Sequence, residues 1–281
     1  MLMIISIFPR VLSVLLCGVL LAGCAGSHTL KGSKDEGLKL ARLLRDQGRL
    51  EAAVEVYARL DSRGHLSGSE LLEYASVAAP VRTPQETLNL YVRARQQLGG
   101  DLQRMQKTEA LALCLGIGRA QLALGRTQMA EQDFQCALTA APDNVGALNG
   151  SGVVLDANGR HDEARIQFGK ALRSDPSDIA ALNNLALSWL ISGRADKAIE
   201  LLRTTDNSAP SARLNLALAY LYDSKDEQAR KTLADIASSD RIESLMNSLA
   251  QRVGELKQPQ TSSSSLLIAS RNLLQLSDVK E

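Results

Sequence analysis

The chain carries at residues 145–176 the stretch VGALNGSGVVLDANGRHDEARIQFGKALRSDP, which decides the fold because the same kinds of residue recur along the chain. Pro142, Pro176 and Pro210 stand 34 residues apart, and the segments between them match position by position. A period of this length predicts a solenoid of stacked helix pairs.

Each repeating unit contains two runs with apolar residues three or four apart, so each run predicts an amphipathic helix. A small residue in the first run is expected where the second helix approaches closely, and small partners follow in the second run. A glycine between the runs is expected to end the first helix with positive φ. The proline is expected to stop the second helix and to start a new unit. These positions are Gly118, Gly152 and Ala186; Ala130, Ala164 and Ala198; and Gly125, Gly159 and Gly193. Phe134, Phe168 and Leu202 are expected to fill the space against the next unit.

The residues at these positions resemble the tetratricopeptide repeat, or TPR. The best matches are 111–144, 145–178 and 179–212, and weaker matches extend the series on both sides. The phase slips near Gly99 and Gly100, where we expect an inserted loop or a longer helix. We therefore predict an all-α TPR solenoid of about six helical hairpins over residues 34–256, closed by a capping helix near 240–256.

The first 23 residues have the features of a signal peptide. Arg10 precedes an uncharged apolar run, 11–21, which is about half of the roughly 20 residues needed to span a bilayer. The run ends in Leu-Ala-Gly-Cys at 21–24, which resembles a bacterial lipobox and implies lipidation of Cys24. An ordinary secretory signal cut near Ala25 is the alternative. Residues 24–33 then form a short lipidated tether, and the absence of Asp at position 25 implies sorting to the outer membrane, facing the periplasm.

The C-terminal region divides in two. Residues 257–265 are rich in Ser and are expected to form a flexible linker. Residues 266–281 form a short amphipathic tail whose apolar part is 266–276. This tail either folds back on the last repeat, which we favour, or serves as a docking peptide.

Composition excludes several function classes. Arg10 is the one charged residue of the signal peptide, so 32 − 1 = 31 basic residues balance 31 acidic residues in the rest of the chain. This balance argues against nucleic-acid binding, which needs a basic surface. Aromatic residues make up 3% of the chain, too few for a platform that stacks bases or sugars. We expect no cofactor, metal ion or small-molecule substrate.

No catalytic motif stands out in the sequence. The three histidines are scattered, and His161 occupies the repeat position of an aromatic packing residue. Gly116-Ile-Gly118 and Gly150-Ser-Gly152 lie inside predicted helices, so they are not phosphate or nucleophile loops. Cys114 and Cys136 fall on the two helices of one repeat; they either form a disulfide or, as we favour, are small core residues. We predict that the protein is not an enzyme.

A TPR solenoid offers the concave face of its first helices for binding. Counting from the small residues places an asparagine series beside apolar side chains on this face. The predicted partner-binding residues are Asn149, Asn183, Asn184, Leu187, Leu190, Asn215, Leu218 and Tyr222. Asn amides both donate and accept hydrogen bonds, which suits a peptide backbone. The alternative is that these asparagines are solvated or capping residues. Arg42, Arg45 and Arg119 are expected on the same side, either solvated or facing an acidic segment.

A lipobox followed by about six TPRs resembles the TadD lipoproteins of the tight-adherence (Flp) pilus. The shortened late repeat, SARLNLALAY at 211–220, and the Ser-rich tail favour this family. The resemblance implies a scaffold that binds a protein partner, the secretin or another pilus-assembly component. The alternatives are a secretin pilotin of the type IVa pilus and an outer-membrane adaptor that links peptidoglycan hydrolases to a protease. Flanking secretin and pilus genes would separate these families.

Overall fold

The computed structural model describes residues 33–204 and 209–258, and this part of the chain contains thirteen α-helices and no strand. Residues 1–32, which hold the predicted signal peptide and the predicted lipidation site Cys24, and residues 259–281 of the predicted linker and tail lie outside the described residues. None of the described helices combines the length and apolar character needed to cross a bilayer. The helices are α1 (Lys34–Asp46), α2 (Leu50–Ser62), α3 (Gly68–Ala78), α4 (Pro84–Gln97), α5 (Lys107–Ala123), α6 (Thr127–Ala140), α7 (Val145–Ala157), α8 (His161–Ser174), α9 (Ile179–Ile191), α10 (Ala195–Thr204), α11 (Pro210–Tyr222), α12 (Asp226–Ala234) and α13 (Ser239–Leu256).

The helices pack in consecutive pairs, and each pair packs on the next. The pairs α1–α2 to α11–α12 are six hairpins, and α13 packs on α11 and α12 at the end of the series. This confirms the predicted all-α solenoid with six hairpins and a capping helix. Residues 98–106 form the inserted connection between α4 and α5, and Gly99 and Gly100 there both have positive φ.

Local sequence explains where several helices begin. Ser33, Ser67 and Thr83 are N-caps of α1, α3 and α4, and each accepts a hydrogen bond from the backbone of a Glu three residues later. In each case the carboxylate of that Glu accepts a hydrogen bond from the backbone N–H of the cap residue. These capping boxes satisfy backbone N–H groups that a helix start leaves without partners. These three N-terminal helices, whose sequences match the repeat pattern only weakly, therefore have well-defined starts.

The predicted glycine turns are confirmed. Gly125, Gly159 and Gly193 have φ values of 76°, 78° and 74° and end the first helices of three hairpins. In the sixth hairpin the same turn falls on Ser224, which has φ 57°. A side chain in this left-handed region costs free energy that glycine avoids.

The predicted close contacts within hairpins are also present. A Cβ on Gly152 would lie 2.4 Å from a ring carbon of Phe168, and one on Gly118 would lie 3.2 Å from Phe134. Phe134 also contacts the next hairpin, because a Cβ on Gly150 would lie 2.2 Å from its ring. The small partners on the second helices, and Ala186 on α9, are fully buried: Ala130, Ala164, Ala186 and Ala198.

The three prolines lie at boundaries between repeats. Pro142 and Pro176 follow the ends of α6 and α8, and Pro210 is the first residue of α11, where a new unit starts. A proline suits that first position because its missing N–H would have no partner there. Cys114 and Cys136 are joined by a disulfide between α5 and α6, with their Cα atoms 5.8 Å apart. The preferred expectation of two unlinked core cysteines is therefore not met.

Candidate functional site

The first helices of neighbouring hairpins pack against one another from α3 to α11 and form the inner layer of the solenoid. The second helices pack outside them, within their own hairpins and against the next. The inner layer is therefore the surface on which the sequence placed the partner-binding residues.

Two of the predicted asparagines pair across this layer. The side-chain amide of Asn184 on α9 donates to the side-chain carbonyl of Asn149 on α7, with N and O 2.9 Å apart. Both side chains are partly exposed. The pair links two successive repeats and leaves the remaining hydrogen-bonding groups of the two amides for another ligand or for water.

Three predicted groove residues have a different placement. Asn183 is buried, and its amide donates to the Ser211 hydroxyl on α11 at 3.1 Å. Leu190 and Leu218 are also buried in the core. The expectation that these three side chains lie on the surface is wrong, because the neighbouring inner helices and the capping helix pack over them.

Several apolar side chains stay partly exposed towards the C-terminal ends of two inner helices, and Trp189 and Tyr220 are among them. Four others we call the inner strip: Leu187 and Ile191 on α9, and Leu221 and Tyr222 on α11. Asn215 on α11 is partly exposed as well. After the capping helix ends, Lys257 places its ammonium group 4.8 Å from the centre of the Tyr222 ring. The inner strip therefore lies beside the point where the second described segment ends.

A polar network that sequence reasoning missed connects the fourth and fifth hairpins. Asp156, at the end of α7, is buried, and one of its carboxylate oxygens lies 2.8 Å from Nδ1 of His161 and 2.9 Å from the Ser188 hydroxyl. Burial raises the pKa of Asp156, although both hydrogen bonds oppose this. His161 is thus a polar partner and not the packing residue expected. The sequence signal for this network was the carboxylate of Asp156 at the end of an otherwise very apolar helix, because a buried carboxylate needs polar partners.

Arg165 extends this network towards the surface. Its guanidinium donates to the Ser192 hydroxyl at 2.8 Å, pairs with Asp162 and lies 4.2 Å above the centre of the Trp189 ring. Asp, His and Ser side chains here do not form a nucleophilic arrangement: the His and Ser groups share one carboxylate oxygen, and Ser188 is fully buried. The network joins repeats; it does not expose a reactive group.

The basic residues at the N-terminal end are mostly engaged within the protein. Arg42 donates to both carboxylate oxygens of Glu73, and Arg45 donates to the same group at 2.6 Å. Burial would raise the pKa of Glu73, but the two guanidiniums outweigh it and hold the pKa below its usual range. Arg119 is exposed, and its guanidinium lies 2.6 Å from the position that a Cβ of Gly146 would occupy.

Within the described segments no cluster of three or more His, Cys, Asp or Glu side chains could hold a metal ion. The groups that the inner layer presents for binding are the Asn149–Asn184 amide pair and the inner strip, which can make polar and apolar contacts.

Comparison with known proteins finds tetratricopeptide repeats in part of the chain. Residues 115–179 and 167–212 match the tetratricopeptide repeat family. The fold is similar to that of a tetratricopeptide repeat protein from Parabacteroides merdae, with 16% identity, a TM-score of 0.58 and coverage of 85% of this chain and 98% of the other.

It is also similar to a chain of the APC/C hetero-tetramer Cut9–Hcn1, with 17% identity and a TM-score of 0.61 over 77% of this chain and 42% of that one. No curated protein sequence matches this chain significantly. At these identities the likeness concerns the fold. The chain is an all-α, TPR-like solenoid.

Proposed function

We propose that this protein is a non-catalytic scaffold that binds a protein partner on its inner layer and assists the assembly of a tight-adherence (Flp) pilus. The partner is the secretin or another component of the pilus machinery. Cys24 carries lipid and anchors the protein in the outer membrane, facing the periplasm.

One observation carries the binding proposal: the Asn149–Asn184 amide pair and the inner strip lie on neighbouring inner helices. An apolar strip supplies affinity through burial, and amides that donate and accept fix the direction of an extended or helical peptide. Asn215 continues the polar series onto α11. The surface suits a peptide segment with apolar side chains on one face and little charge.

The anchor and its compartment rest on two features. The lipobox at 21–24 supports lipidation of Cys24. The disulfide between Cys114 and Cys136 supports an oxidising compartment such as the periplasm, since disulfides persist there and are rare in the cytosol. Three acyl chains, at about 0.8 kcal/mol per buried methylene, would hold the protein on the membrane permanently.

The pilus assignment rests on the resemblance to TadD lipoproteins. Deleting the gene tests it directly. We expect fewer secretin multimers, loss of surface pili and loss of adherence, with each restored by the gene in trans. Normal piliation in the deletion strain would sink the pilus assignment.

The binding surface is tested with a photoreactive residue at position 184 in the full chain. We expect a crosslink to one pilus-assembly component. The same residue at position 166, where Ile166 is exposed on the outer helix α8, should not give this crosslink. Replacing Asn184 and Asn215 together by Ala should weaken binding by about 1–3 kcal/mol if the two hydrogen-bond contributions add. Unchanged affinity of the double variant for the captured component would remove the amides from the binding surface.

The anchor is tested with Cys24→Ser. We expect the variant to lose labelled palmitate and to leave the outer-membrane fraction. Retention of both label and location would exclude Cys24 as the lipid site.

A further inference from the structure

We propose that residues 266–276 fold back onto the inner strip of the same chain and occupy it until a partner displaces them. The proposal deepens the proposed function and rests on it, because it gives the partner-binding surface an internal competitor.

The chain leaves the described structure at the inner strip itself. Lys257 lies over the Tyr222 ring, and Gln258 is the last described residue of that segment. The linker 259–265 then has seven residues, which span at most about 23 Å at roughly 3.3 Å per residue. Packed helices lie about 8–10 Å apart, so this length reaches both α11 and α9.

The chemistry of the segment matches the strip. Residues 266–276 read LLIASRNLLQL, and Arg271 is the one charged residue among them. Leu266, Ala269, Leu273 and Leu276 are spaced three or four apart, so a helix would place them on one face. The inner strip offers four partly exposed apolar side chains and no charge of its own. A helix lying in an apolar groove is a common mode of peptide recognition.

The covalent link to the chain favours binding of residues 266–276 over binding of a separate molecule. A short flexible linker gives a segment an effective concentration in about the millimolar range. A second copy of the chain or a separate protein must additionally lose translational and rotational freedom on binding. The tail therefore wins against weak ligands and yields to a tight partner.

The test uses the full chain in cells, with p-benzoylphenylalanine at position 187 in the inner strip and, as a matched control, at position 166 on the outer helix α8. We expect position 187 to crosslink within the chain, at monomer mass, to a peptide from 266–276. Position 166 should give no such product. Crosslinks from position 187 only to a second copy or to another protein, or none to the tail, would overturn the proposal.

Two tail variants separate packing from mere proximity. Leu273→Asp places a charge on the apolar face, and Gln275→Asp introduces the same charge on the polar face. Leu273→Asp should lower the crosslink at least about tenfold, since burial of one leucine is worth at least that factor. Gln275→Asp should leave it unchanged. Equal yields in both variants would contradict the proposal.

The outcome is independent of the pilus assignment. If the intrachain crosslink forms and the deletion strain still makes normal pili, the folded-back tail stands and the pilus function is rejected. If position 184 captures the partner normally but no intrachain crosslink forms, the partner-binding function stands and the folded-back tail is rejected.

Discussion

At the scale of single residues, Ser224 stands where the other well-formed hairpins have glycine. Its φ of 57° is the one positive value at a non-glycine residue within 33–204 and 209–258. We predict that Ser224→Gly raises the free energy of unfolding by about 0.5–1 kcal/mol, because relief of about 1–2 kcal/mol of strain exceeds the added entropy of the unfolded chain. Urea denaturation measures it. Ser224→Ala keeps the Cβ and serves as the control; an equal gain in both variants would mean that the backbone is not strained there.

Asp133, on α6, gives the stability of the protein a dependence on pH. Burial raises its pKa to about 6, and the charge of Arg95 only partly opposes this. Because the folded chain holds the proton more tightly than the unfolded chain, the resulting stabilisation is complete below the ordinary pKa near 4 and is lost as the pH rises through 6.

Asp133→Asn should therefore raise the free energy of unfolding at pH 7.5 by about 1 kcal/mol, after allowance for partial exposure of the carboxylate. The variant should also flatten the decline in stability between pH 4 and pH 6. Unfolding curves at a series of pH values provide the measurement. A slope unchanged from the wild type would show that another group titrates in this window.

At the scale of elements, the spacing between the two helices of a hairpin depends on glycine. A Cβ at Gly152 on α7 would lie 2.4 Å from the Phe168 ring on α8. Gly152→Leu should lower the free energy of unfolding by about 1–3 kcal/mol through overpacking, even though leucine favours the helix more than glycine does.

The matched control is Gly254→Leu on α13, where a Cβ would meet nothing within 4 Å. There the better helix propensity of leucine should stabilise the protein by about 0.5–1 kcal/mol. Helicity and the unfolding midpoint report both effects. Equal midpoints for the two variants would count against the contact between Gly152 and Phe168.

At the scale of the whole molecule, the disulfide ties the third hairpin together, between the two hairpins before it and the three that follow. Cys114 and Cys136 are 22 residues apart, and closing a loop of this size stabilises a protein by about 2–4 kcal/mol. Because each repeat contacts only its neighbours, loosening one hairpin weakens those beside it. We predict that Cys114→Ser with Cys136→Ser lowers the unfolding midpoint and that a reducing agent lowers it equally in the wild type.

The mature protein isolated from cells should also resist thiol alkylation until it is reduced. Prompt alkylation of the unreduced protein would show that the bond does not form in its own compartment. A reducing agent that lowers the midpoint of the double Ser variant as well would assign the loss to something other than this disulfide.

The sequence by itself determined the class of fold, the repeat length and the positions that define each repeat. These features are local: an apolar residue every three or four positions makes an amphipathic helix, and a glycine between two helices permits the left-handed turn at Gly159. Six hairpins and the capping helix follow from counting these signals along the chain.

Only the tertiary structure decided which side chains stay exposed. Asn149 and Asn183 occupy equivalent positions in their repeats, yet Asn149 is partly exposed and Asn183 is buried against Ser211. Leu190, which the sequence placed on the binding surface, is buried in the core. Asp156 is buried too, and its partner Ser188 lies 32 residues away. A repeat pattern fixes where a residue sits on its own helix, but burial depends on how the next hairpin packs over it, and that contact is not local in sequence.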